Sequence, residues 1–129
     1  MTRRGVTILE AIVAAGMLVG VMAICLQMLG AVATQRRAAE IRQTAIRETA
    51  NVMERLGSTP WDELTEQSVQ GIHLSKEAGQ GLPEGELKID LTNPTDEPDA
   101  KRIAVSLRWK DRTGRFVLPV RLVAWRYRR

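Results

Sequence analysis

The sequence predicts an α+β protein: a long N-terminal helix, transmembrane in its first half and amphipathic in its second, packed on a small three-stranded antiparallel sheet. Three observations predict it. Residues 11 to 33 form an apolar run without a charge, a three-and-four spacing of apolar residues then continues to Leu56 without a helix breaker, and three segments after Gly85 alternate apolar with polar residues.

The chain has 129 residues, which allows one small domain and one anchor. Lys and Arg number 19 against 15 Asp and Glu, a net charge of +4, but Arg3 and Arg4 account for part of that excess. Beyond them only the C-terminal RYRR is densely basic, so the composition does not point to nucleic acid as a partner. Cys25 is the single cysteine and His73 the single histidine. An intrachain disulfide is therefore impossible, and neither zinc-type ligation nor a nucleophile, base and metal set can be assembled. The sequence reads as a protein that is not an enzyme and needs no cofactor.

From Ala11 to Ala33 the chain reads AIVAAGMLVGVMAICLQMLGAVA, interrupted only by the uncharged Gln27. At 1.5 Å per residue this helix reaches about 34 Å, enough for a hydrocarbon core of roughly 30 Å. Arg3 and Arg4 before it favour a cytoplasmic N-terminus, which sends the remainder across the membrane. A cleaved secretory signal also fits the basic start and the AVA at 31 to 33, and would release an exported binding module beginning at Thr34. An apolar region of 23 residues is long for such a signal. Neither that reading nor a plain signal anchor explains Glu10, because a carboxylate in a membrane helix costs on the order of 3 kcal/mol near its centre.

The stretch RRG-V-T-I-L-E followed by about twenty apolar residues resembles the cleavage and methylation signal of type IV pilins and of the type II secretion pseudopilins. The resemblance implies a prepilin peptidase that cuts after Gly5, an N-methylated new terminus at Val6, and a role in assembly for Glu10. The implied organisation is a leader at 1–5, a transmembrane and assembly helix at 6–33, and a periplasmic pilin-like head at 34–129. Physical chemistry gives the spacing a reason of its own. Residues 6 and 10 share one helix face, so Glu10 can neutralise the new amine of Val6, or that of a neighbouring subunit in a filament. Val6 departs from the Phe or Met usual in the family, and Gln27 stands where many pilins carry proline. Gly16 and Gly20 form a small-xxx-small pair that suits helix packing, though glycines are also common in membrane helices.

Past Ala33, the residues Ala38, Ile41, Ala45, Thr49, Val52 and Leu56 make one mostly apolar face, and Gly57 is the expected stop. From Val6 to Leu56 such a helix would span about 76 Å; the alternative is a hinge near Thr34. STPWDEL reads as a second short helix, with Ser58 or Thr59 as cap and Pro60 in first position. Residues 67 to 85 read as a long loop. Its neighbouring acids Glu77, Glu84 and Glu86 lack any EF-hand spacing for the calcium that some pseudopilins bind. The expected strands are ELKIDL, RIAVSLRW and FVLPVRLVAW, the last with Phe116, Leu118, Val120 and Leu122 on one face, Arg121 on the other, and Pro119 favouring an edge. Gly114 lies in the turn that joins the last two.

PWDEL and the hairpin VSLRWKDRTGR loosely resemble the I-type minor pseudopilin and the V-type minor pilins. The function this implies is a minor pseudopilin of a type II secretion system: a structural subunit of a short periplasmic filament, single-pass in the inner membrane. Its N-terminus would be cytoplasmic before processing. Its partners would be prepilin peptidase, other pseudopilins or pilins, and the inner-membrane assembly platform. A minor type IV pilus subunit is the alternative within the family. The terminal RYRR has two readings, a solvated basic end or a docking patch for an acidic neighbour or DNA.

Overall fold

The computed structural model describes residues 5 and 7–128; the expectations for Arg3, Arg4, Val6 and Arg129 lie outside the described residues. Helix α1 spans Ile8–Ser58 and is followed by a 3-10 turn at Trp61–Glu63. Two short helices come next, α2 at Glu66–Gln70 and α3 at Lys76–Gly81. Strands β1 (Glu86–Thr92), β2 (Ala100–Arg108) and β3 (Val120–Tyr127) complete the chain. Two compact units are present, Met1–Ala39 and Glu40–Arg129.

In the first unit α1 is long and apolar enough to cross a membrane, and none of its apolar window is buried. Leu9, Val13, Met17, Leu18, Val19 and Val21 are all exposed, and each residue advances about 100° around the axis, so apolar side chains project on every side. A helix that is apolar all round needs a lipid or protein surround. Membrane insertion as a single pass fits this unit.

The second unit is an α+β head in which the C-terminal part of α1 packs against an antiparallel sheet of order β1-β2-β3. Pairing aligns Leu87 with Leu107 and Ile89 with Val105, and on the other side Val105 with Leu122 and Ile103 with Ala124. One sheet face therefore carries the apolar residues, as the alternation requires. Two groups of buried side chains fill the space beneath it. Ala45, Ala78, Leu82, Leu107, Trp109 and Val120 form the first. Val52, Leu56, Leu64, Val69, Ile103 and Val105 form the second, with Leu87 at the border of both. Of the expected helix face, Ala45, Thr49, Val52 and Leu56 are buried, Ile41 is half-buried and Ala38 is exposed.

Four expectations need correction. Gly57 does not stop α1, which continues to Ser58. The hydroxyls of Ser58 and Thr59 donate back to the carbonyl of Arg55, so they close α1 and do not cap a following helix. STPWDEL consequently yields only the 3-10 turn, with Pro60 before it. Residues 67 to 85 are not one loop: Thr65 and Ser68 bond reciprocally to start α2, and Ser75 accepts from the Ala78 N–H to start α3.

The third strand begins only at Val120. Lys110 bridges to Phe116 one register step away from the pairing of Leu107 with Val120, so the segment 117–119 carries one residue more than its partner. This bulge turns Leu118 out to 82 % exposure while Val120 stays buried. Phe116 and Leu118 thus do not share the buried face. Gly114 in the turn has φ 78°, a backbone region that favours glycine.

Candidate functional site

The carboxylate that singles out the N-terminal segment sits in the first turn of α1. Thr7 Oγ1 accepts a hydrogen bond from the Glu10 N–H at 3.3 Å, and the Ala11 N–H donates to the Thr7 carbonyl at 3.1 Å. Thr7 is therefore an N-cap and Glu10 the third helical residue, the T-x-x-E spacing of a capping box. A carboxylate in the first turn also meets the positive end of the helix dipole. Sequence reasoning missed this local role, for which the T-x-x-E of T-I-L-E was the available signal. Gly5 is exposed and just outside the helix, and Val6, the residue expected to pair with Glu10, lies outside the described residues. Within the apolar run, Cys25 is free and exposed.

A second set of polar residues fixes the head, and sequence reasoning missed it. Arg126 Nη1 donates to the carbonyls of Leu56 at 3.1 Å and Gly57 at 2.6 Å, satisfying groups left over at the C-terminus of α1. Opposite it in the ladder, Lys101 Nζ donates to the carbonyls of Trp61 at 2.9 Å and Leu64 at 2.8 Å, and lies 4.6 Å from the centre of the Trp61 ring. Two like charges directly opposite on neighbouring strands would repel. Here each is taken up by carbonyls of a different turn. Within RYRR, Arg126 is therefore a structural clamp and not a solvated charge, and the Arg128 N–H donates to the Asp99 carbonyl at 2.8 Å.

Glu48 is the other missed residue. It is 7 % exposed, and its two oxygens accept from the Ser75 N–H at 2.7 Å and the Ser75 hydroxyl at 2.9 Å. Its carboxylate thereby holds the first turn of α3 against α1. Its position three after Ala45 and four before Val52 was the available signal.

Glu84 and Glu86 serve the hairpin. Glu84 pairs with Lys110, and Glu86 with Arg108, which also lies 4.3 Å from the centre of the Phe116 ring. At the hairpin tip Asp111 accepts from the Thr113 hydroxyl and from the N–H groups of Thr113 and Arg115. These bonds, the Thr113 hydroxyl first, hold its pKa below the ordinary carboxylate value. His73 is exposed. No group of three His, Cys, Asp or Glu side chains lies close enough to hold a metal ion among the described residues.

The fold and these sites define a class, a long apolar N-terminal helix that continues into a small α+β head. No family model, curated protein or solved structure matches the chain.

Proposed function

We propose that this protein is a pilin-like structural subunit, a minor pseudopilin of a type II secretion system. Prepilin peptidase trims it after Gly5, its new amino terminus at Val6 is methylated, and Glu10 matches that amine or the amine of a neighbour during assembly. The observation that carries the reading is the placement of Glu10, a carboxylate in the first turn of a helix apolar on every side and four residues after Val6 in the sequence. An ion in such surroundings is tolerated when it finds a partner, and proteolysis supplies one. The α+β head, with a three-stranded meander against the same helix, supports a pilin-like plan. PWDEL and the hairpin lean toward the I-type minor subunits. The head then lies in the periplasm, and the subunit works by packing against other subunits and the inner-membrane platform, without catalysis.

Mass spectrometry of the mature N-terminus tests the reading. A methylated chain starting at Val6 is the expected result; a chain starting at Thr34 means an exported module, and an intact Met1 means a plain anchor. Glu10→Ala then tests the electrostatic step: the variant should be processed yet fail to enter filaments, and normal incorporation overturns the proposed pairing.

A further inference from the structure

The two edges of the sheet are not equivalent. α2 packs beside β1, whereas no described strand or helix runs along the outer side of β3. The bond from the Arg128 N–H to the Asp99 carbonyl has the same register as the β2–β3 ladder and sets its phase. In an antiparallel pair, bonded and non-bonded positions alternate. The even-numbered residues of β3 therefore bond to β2, and Arg121, Val123, Trp125 and Tyr127 direct their N–H and C=O groups to the free side. An unfilled row of this kind is a template for another strand.

The side chains of the same four residues lie on the sheet face away from α1, where Val123 is 44 %, Trp125 51 % and Tyr127 59 % exposed. Pro119 and the bulge guard only the start of the strand. That face has an uneven charge. Its acids are already matched, Asp90 by Lys88 at 3.4 Å and Glu86 by Arg108. Arg121 on the edge strand and Arg102, opposite Trp125 on β2, have no carboxylate within 4.0 Å among the described residues. Next to the edge, a groove of about 630 Å³ between the last turns of α1 and β3 is lined by Met53, Trp61, Ile103 and Ala124.

We propose that the free edge of β3 is a docking strand for an extended acidic segment of a partner protein. The segment adds a fourth strand by main-chain hydrogen bonds to Arg121, Val123, Trp125 and Tyr127. Its carboxylates meet Arg121 and Arg102, and its apolar side chains lie against Val123 and Trp125. A single-stranded nucleic acid could stack on Trp125 and Tyr127, but it would leave the backbone row unfilled. The inference uses the head alone and stands whether or not the N-terminal processing proposed above occurs.

The test is amide hydrogen exchange on the full chain in detergent micelles, with a synthetic peptide of alternating Glu and Val as probe. Saturating peptide should slow exchange at Arg121, Val123, Trp125 and Tyr127 about tenfold or more, and leave Leu122 and Ala124, already bonded to β2, unchanged. No slowing overturns the proposal, as does equal slowing by a Lys/Val peptide. Slowing by oligothymidylate alone, or by raising the concentration of the chain without peptide, overturns it in favour of nucleic acid or of a second copy. Val123→Pro removes an outward N–H and no β2 bond, so it should abolish the slowing while Leu122 and Ala124 stay protected. Arg121→Glu gives an independent reading if the proline variant unfolds: it should reverse the preference to the Lys/Val peptide, and a retained preference for the acidic peptide overturns the proposal.

Discussion

Glu48 shows how one side chain joins two elements that the sequence leaves separate. A nearly buried carboxylate with two hydrogen bonds to Ser75 is stable only while both donors remain in place. Glu48→Ala should destabilise the head by about 1.5–3 kcal/mol, the range for hydrogen bonds to a charged group, and Glu48→Gln by less. Chemical denaturation of the two variants checks the order. Asp111 is a residue-scale case with a pH signature. Its folded pKa is depressed, so its contribution is present above the unfolded carboxylate value and is lost as pH falls through the lower folded one. Protection of the Thr113 and Arg115 amides should therefore fade only at a pH below the ordinary carboxylate range, and Asp111→Ala should remove it at neutral pH.

At the scale of elements, the bulge before β3 decides which residues the hairpin buries. Leu118→Ser should change stability by less than about 0.5 kcal/mol, as at an ordinary surface site. Val120→Ala should cost about 1–3 kcal/mol through lost burial and the cavity left behind. Alternation alone places the two residues on the same face, so thermal unfolding of the pair separates the observed register from the regular one. The clamp on α1 is also an element-scale feature. Arg126→Ala leaves the Leu56 and Gly57 carbonyls without their donor and should cost about 1–2 kcal/mol, whereas Arg128→Ala, whose contact is through its backbone, should be near neutral.

For the whole molecule, Cys25 is a built-in probe of membrane placement. In intact membranes a membrane-impermeant maleimide should leave it unlabelled, and it should remain so from either side, because it lies near the middle of an apolar segment long enough to span. Labelling from one side without detergent would place that segment outside the bilayer. The head has no disulfide to fall back on, since its chain contains no cysteine, so its stability rests on the two buried groups beneath the sheet and on the polar clamps at their margins.

The strongly periodic features were legible in the sequence by itself: the apolar run, the helical face through Ala45, Val52 and Leu56, and the alternation in β1 and β2. Each repeats a local pattern that one geometry satisfies, and burial selects that geometry without help from distant residues. The Thr7 cap in T-I-L-E was missed although a cap is a contact across only three residues. Only the tertiary structure decided that β3 starts after Pro119, and that Glu48, Lys101 and Arg126 are clamps and not solvated charges. The clamps depend on groups 27 to 70 positions apart in the chain, and the start of β3 on its pairing with β2. A buried backbone carbonyl or N–H left over by one element must find its partner wherever the fold brings one, and no local pattern records where that is.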